Sequence, residues 1–141
     1  KTQLEYNRRY YQEILDVVKA YKDYSILGHP DVIKRYDLNG EIELEKIKDL
    51  IEQIFEVVIA DGKGIELNTS SRAYHLKSLM PSREILELYH DMGGKIITIG
   101  SDGHCPKHMA YDFYKLPDFL SNLGIRYYTV FRDKKPEFIK L

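Results

Sequence analysis

Apolar positions recur with helical spacing from Leu4 to Tyr21, at Tyr10, Ile14, Val17, Val18 and Tyr21, while Gln3, Glu5, Arg8, Arg9 and Glu13 suit a solvent face. A first helix is predicted there. A short apolar run, Tyr24 to Gly28, then predicts a buried strand that ends in Gly28-His29-Pro30. From Glu43 to Ala60 the helical period returns at Leu44, Ile47, Ile51, Ile54, Phe55 and Val58, and Gly62 and Gly64 close it. Gly64 to Thr69 predicts a second strand. Ser82 stands as a capping residue before a third helix, which Met92-Gly93-Gly94 stops. Lys95 to Gly100, rich in β-branched residues, predicts the third strand. Lys107 to Asn122 predicts a fourth helix that Pro117 starts or kinks near Asp118. Ile125 to Phe131 predicts the last strand, after which Lys134-Lys135-Pro136 turns the chain toward Phe138 and Ile139.

The predicted order is α-β-α-β-α-β-α-β. Alternation of this kind implies parallel strands with helical crossovers, hence an α/β fold, either a doubly wound sheet or a β/α barrel. No repeat of 20–50 residues, low-complexity tract or interdomain linker interrupts it, so residues 1–141 are expected to lie in one domain.

Composition narrows the function classes. A net charge of −1 supplies no basic field for nucleic acid or an anionic membrane. No apolar stretch approaches the roughly 18 residues of a membrane helix. The single cysteine, Cys105, cannot close an intramolecular disulfide, which suits a reducing, cytoplasmic setting. Most of the 12 tyrosines, Tyr6, Tyr10, Tyr11 and Tyr21 among them, fall in helical patterns and are expected to pack half-buried with a wet hydroxyl. The chain opens with Lys1 rather than methionine, so it is expected to begin inside a longer protein or after processing.

Chemistry-bearing residues gather at predicted strand ends. His29 follows the first strand, Asn68, Thr69, Ser70 and Arg72 the second, and Asp102 and His104 the third. In α/β folds the carboxyl ends of parallel strands form the site, so these three sets are expected to converge. In extended backbone, Asp102 and His104 would point the same way and offer a carboxylate oxygen and an imidazole nitrogen to Zn²⁺, Mn²⁺ or Fe²⁺. The competing reading makes Ser101-Asp102-Gly103 plain turn chemistry, with Asp102 capping the next helix. Spacing leaves both open. Arg35 and Arg72 are candidate bidentate partners for a phosphate, or else solvated surface arginines in a chain with 21 basic residues.

Other residues carry less. His75 and His90 read as surface or packing residues, His90 suiting a helix C-terminus. His108 fits a helix start as well as a site wall. Cys105 has no paired thiol to make it a convincing ligand. No GxSxG, P-loop or GxGxxG motif is present.

Taken together, GHPDVIKRY (28–36), GIELNTSSR (64–72), REILELYHDMGGKIITIGSDGH (83–104) and LGIRYYTVFRDKKPEFIKL (123–141) resemble the histidinol-phosphate phosphatases of the PHP superfamily, in order and over nearly the whole chain. The resemblance implies a distorted, TIM-like β/α barrel with a multinuclear metal cluster at the carboxyl ends of its strands. It implies that His29, Asp102 and His104 are metal ligands, with Asp102 and His104 also catalytic. Arg35 and Arg72 would bind the substrate phosphate, and Asp31, Glu66 and Asn68 would support the site. Two departures are mild: Pro30, and Gly103 where alanine is usual. A third is serious, because the family's opening H-x-H strand has no counterpart in these 141 residues. The chain is therefore expected to be the carboxyl-terminal half of such an enzyme.

The implied activity is metal-dependent hydrolysis of a small phosphomonoester, L-histidinol phosphate, in histidine biosynthesis. This stretch alone is expected to be weakly active or inactive, and to self-associate through open barrel edges. The alternatives are another PHP phosphoesterase, or a non-catalytic binding module that kept the fold.

Overall fold

The first hydrophobic stripe forms a helix at Gln3–Ala20 (α1), but its buried face is only partly the predicted one, with Val18 buried and Tyr10 and Ile14 half-buried against the core. Asn7, Tyr11, Leu15 and Val18 turn inward, while Val17 and Tyr21 stay exposed. Tyr10 and Tyr11 sit side by side, as do Ile14 and Leu15, and the sequence allowed either register. The computed structural model describes residues 2–72 and 76–141, Arg72 by its backbone alone. Thr2 and Glu5 close a reciprocal capping box at the start of α1, which satisfies two of its orphan N–H groups.

β1 is short, Ile26–Leu27, and is followed by a 3-10 turn at Val32–Tyr36. The predicted second helix divides into a 3-10 turn, Leu44–Lys46, and an α-helix, Lys48–Ala60 (α2). Ile47, with φ −131°, breaks the two apart, yet its side chain remains in the core. β2 runs Gly64–Asn68, α3 runs Arg83–Asp91 and β3 runs Ile97–Gly100. Ser82 holds the cap position of α3 in extended backbone but makes no side-chain cap. Its N–H instead donates to Asp31 Oδ2 at 3.1 Å.

Three parallel strands lie in chain order, β1-β2-β3, with Leu27 opposite Ile65 and Ile65 opposite Ile97. Side chains alternate across a strand. Ile65, Leu67 and Ile97 join the core with Leu15 and Val18 of α1, Ile51, Ile54, Phe55 and Val58 of α2, and Leu86 and Tyr89 of α3. Glu66, Thr98 and Gly100 belong to the opposite face, with Glu66 opposite Thr98 and Asn68 opposite Gly100. Sequential order with helices feeding one face is the singly wound form of α/β architecture, not the doubly wound one. Gly64 permits this closeness, since a Cβ there would lie 2.5 Å from the Ile96 carbonyl oxygen.

The last quarter departs from the prediction. Lys107 to Lys115 contains only 3-10 turns, Pro106–His108 and Phe113–Lys115, and α4 is confined to Leu116–Asn122, with Pro117 in its first turn. Left-handed backbone at Ala110 (φ 52°) and Asp112 (φ 58°) interrupts any longer helix. Tyr127–Arg132 (β4) is not a fourth parallel strand. It forms an antiparallel hairpin with a fifth, Lys135–Lys140 (β5), around Asp133 and Lys134, both at positive φ. Two consecutive positive-φ residues match the right-handed twist of a tight hairpin, and so short a loop permits only antiparallel pairing. The hairpin meets the parallel sheet through buried Thr129, whose Oγ1 accepts a hydrogen bond from Ile97 N at 3.2 Å. No described helix is long and apolar enough to cross a membrane.

Candidate functional site

The carboxyl ends of β1, β2 and β3 meet around one carboxylate. Glu66 projects from the non-core face of β2, and its Oε2 accepts the backbone N–H of His29 at 2.9 Å. Glycines flank it on both neighbouring strand ends. A Cβ on Gly28 would sit 3.6 Å from Glu66 Oε2, and one on Gly100 only 2.0 Å from Oε1. The carboxylate thus fills the space where a side chain at Gly100 would stand, lies in ordinary contact range of one at Gly28, and braces the sharp turn at His29 (φ 22°). Glu66, expected to support the site, lies between the ends of β1 and β3 and holds the His29 N–H. The signal available in the sequence was the pair of glycines that end β1 and β3.

His29 stands at the predicted strand end, and its Nδ1 is buried with no hydrogen-bond partner among the described residues. A buried, uncommitted imidazole nitrogen is what a metal or substrate contact would satisfy.

Arg35 lies on the 3-10 turn after β1 and reaches across to both other strand ends. Its Nη2 donates to Ser70 Oγ at 3.1 Å and lies 3.7 Å from Asp102 Oδ2. Ser70 is itself fixed, its N–H donating to Asn68 Oδ1 at 2.9 Å. Thr69 N donates to the Gly100 carbonyl at 2.9 Å and ties the loop after β2 to the end of β3. The structure therefore brings together His29, Arg35, Glu66, Asn68, Ser70 and Asp102. Ser70 was named only as a strand-end residue, and its role as the second partner of Arg35 is a product of folding. The side chain of Arg72 and all of His75 lie outside the described residues.

The geometry of Asp102 and His104 differs from the extended step that spacing suggested. Asp102 is left-handed, φ 46°, in an irregular segment, so the same-side argument fails at that residue. Asp102 does not cap the following helical turn either, because Cys105 occupies that position without a side-chain bond. His104 instead folds back so that its Nδ1 lies 2.8 Å from the Asp102 carbonyl oxygen. With Nδ1 carrying the proton, Nε2 presents its lone pair outward. Gly103 is tightly placed, since a Cβ there would meet the His108 carbonyl at 3.1 Å.

Asp31 takes no part in the strand-end cluster. It is buried and pairs with buried Lys34 at 3.0 Å, while its Oδ2 also accepts the Ser82 N–H. Burial pushes its carboxyl up from the ordinary range, and Lys34 and the Ser82 N–H pull the other way. Among the described residues, no three His, Cys, Asp or Glu side chains gather closely enough to enclose a metal ion. By themselves these side chains do not fit a closed metal centre.

Residues 1–70 match the PHP domain. A probable histidinol-phosphatase of Thermotoga maritima is 31% identical over 126 residues, which is 89% of this chain and 52% of that protein. The histidinol-phosphatase of Lactococcus lactis is 26% identical over 138 residues, 96% of this chain and 51% of its own length. The crystal structure of histidinol phosphate phosphatase from Lactococcus lactis, complexed with zinc, L-histidinol and phosphate, superposes with a TM-score of 0.80 at 24% identity. That match covers 97% of this chain and 52% of the other, so the likeness of fold extends over nearly every element described above. The chain spans about half the length of the curated relatives it matches.

Proposed function

This chain is related to the PHP-domain histidinol-phosphatases, and on that footing we propose that it is the carboxyl-terminal part of a metal-dependent phosphomonoester hydrolase acting on L-histidinol phosphate. Its 141 residues then form one arc of a distorted PHP barrel. Three parallel strands in sequential order, with helices on one face, support that arc. The observation that carries the reading is the contact set of Arg35. One guanidinium beside Ser70 and Asp102 joins all three strand ends where a phosphate would sit.

In this reading His29, Asp102 and His104 hold their share of a multinuclear zinc, manganese or iron cluster, with the remaining donors outside this chain. Such ions, when bound, supply an activated water and positive charge. Arg35 and Arg72 grip and orient the phosphate oxygens in fork geometry. Glu66 fixes the backbone of His29, and Asn68 fixes Ser70, which in turn positions Arg35. Water oxygen bonds to phosphorus as the ester P–O bond breaks, and the proton that the water gives up passes by way of Asp102 or His104 to the departing alcohol oxygen. Asp31 supports the site from beneath. A reducing, cytoplasmic setting belongs to the same reading, supported by the lone cysteine.

Alone, the chain is expected to turn over little or no substrate, and to associate with a second copy or a complementary half through the open edge of β1. Phosphate release from L-histidinol phosphate, with manganese or zinc added, tests this directly. Release at an ordinary enzyme rate contradicts the incomplete site, and a strictly monomeric chain at micromolar concentration contradicts the association. A non-catalytic module is the second reading, favoured by the lack of a three-donor group among the described residues. A longer chain that contains this segment and the H-x-H strand yet hydrolyses no phosphomonoester would establish it. A substrate panel on the same chain separates histidinol phosphate from other phosphoesters.

A further inference from the structure

Two residues beside the site do chemistry of a different kind. Lys34 immediately precedes Arg35 on the 3-10 turn Val32–Tyr36, yet its side chain runs the other way, into a half-open pocket of about 230 Å³ lined in part by Tyr11, Glu41 and Ser82. The Lys34 ammonium, itself buried beside a pocket that is open to solvent at Glu41, donates to Ser78 Oγ at 2.8 Å and to the Leu79 carbonyl, and lies 3.0 Å from Asp31 Oδ2 and 3.7 Å from Glu41. Both Asp31 and Lys34 are about 95% shielded, with side-chain exposures of 4% and 5%. Asp31 Oδ2 also takes the Ser82 N–H. The two paired side chains therefore clamp the segment that carries His29 and Arg35 onto Ser78–Ser82, Lys34 by its bonds to Ser78 and Leu79 and Asp31 by accepting the Ser82 N–H.

We propose that Asp31 and Lys34 are positioning residues that act through His29 and Arg35, setting where the imidazole and guanidinium stand at the strand ends. The rationale is geometric. The described hydrogen bonds of the turn to other parts of the chain are those of Asp31 and Lys34 on one side and the Arg35–Ser70 bond on the other, together with the His29 N–H on Glu66 and the Tyr10 hydroxyl on the Pro30 carbonyl. Releasing the clamp removes the anchors on one side of the turn and leaves the bonds of His29, Pro30 and Arg35 on the other. Buried ion pairs are poor sources of net stability, since a well-packed apolar pair often does as well, so retaining one here suits a role in placement. This inference rests on the reading of Arg35 as a phosphate group's partner.

The test needs no ligand. Amide hydrogen exchange of His29, whose N–H donates to Glu66, is compared with that of buried Leu67 and Leu86 in the wild type, in Lys34→Met, and in the Asp31→Leu/Lys34→Met double variant. Positioning predicts at least tenfold faster exchange at His29 in both variants. It also predicts that the double variant restores the core amides toward wild type while His29 stays fast. His29 exchange that tracks the core amides in both variants makes the pair merely structural and overturns the proposal. Loss of all core protection in both variants overturns it too, by making the pair a general stability element. Because no phosphate is added, failure here is distinct from a failure of the phosphate-site reading, which inorganic phosphate titration of the wild type reports separately.

Discussion

The guanidinium of Arg35 stands 3.7 Å from the carboxylate of Asp102, although 67 residues separate them along the chain (102 minus 35). A residue proposed as a phosphate binder thus faces one proposed as a metal ligand. On that proposal Asp102 would compete with phosphate for Arg35. Removal of that competitor in Asp102→Asn is expected to raise affinity for inorganic phosphate severalfold in metal-free solution. Arg35→Met is expected to lower it by roughly ten- to a hundredfold, the worth of a charge-assisted hydrogen bond. Isothermal titration in metal-free buffer measures both; weaker phosphate binding by Asp102→Asn would place the anion elsewhere.

Glu66 owes its position to the glycines around it. In Gly100→Ala the new Cβ would lie 2.0 Å from Oε1, so the carboxylate must swing away and release the His29 N–H. A cost of about 1–2 kcal/mol is expected, with an upfield move of the His29 amide proton resonance. An unmoved resonance would show that Glu66 does not brace the turn.

The hairpin is held to the parallel sheet at a buried polar contact. Thr129→Val keeps the shape of the side chain and strips the acceptor from Ile97 N, leaving a buried N–H unpaired. A loss of about 1–3 kcal/mol is expected in urea unfolding, with Thr129→Ser far closer to wild type. Equal stability of Val and wild type would count against the docking.

Stability should fall in alkali for a specific reason. Tyr89 is buried against Phe55, its hydroxyl donates to the Ile96 carbonyl at 2.9 Å, and burial raises its pKa from 10.0 to about 12. Burial raises Tyr10 and Tyr11 as well. A folded pKa above the unfolded one means the contribution is whole below pH 10 and is lost between about pH 10 and 12, by roughly 2–3 kcal/mol for Tyr89. Ultraviolet absorbance of tyrosinate against pH is expected to show a late, cooperative step coincident with loss of helical circular dichroism. Smooth ionisation near pH 10 of every tyrosine would contradict it.

Much of this fold was legible because its first two-thirds obey simple periods. Strand β2 and helices α2 and α3 appear within a few residues of where their apolar spacing places them, and the convergence of strand ends follows from that order. What was not legible depended on contacts or on backbone. Nothing local distinguishes the Tyr11–Leu15 stripe from Tyr10–Ile14; the neighbouring α2 decides. Positive φ at Asp102, Asp112, Asp133 and Lys134, none a glycine, reshaped the third strand's exit, the fourth helix and the final strand. The same effect reduced Asp102-x-His104 from an extended pair to a bent one. Asp31 is a supporting residue on the family resemblance alone, and its burial with Lys34 appears only when Ser78 and Ser82 are brought beside it.

The central claim is that the carboxyl ends of β1, β2 and β3 bind a phosphomonoester. Backbone NMR of the zinc-loaded chain, titrated with L-histidinol phosphate, tests it most directly. The account predicts saturable shifts confined to Gly28, His29, Arg35, Glu66, Ser70 and Asp102 through His104, lost in Arg35→Met. Shifts centred on the Lys34 cavity or on the β4–β5 hairpin, or none up to tens of millimolar, would contradict it.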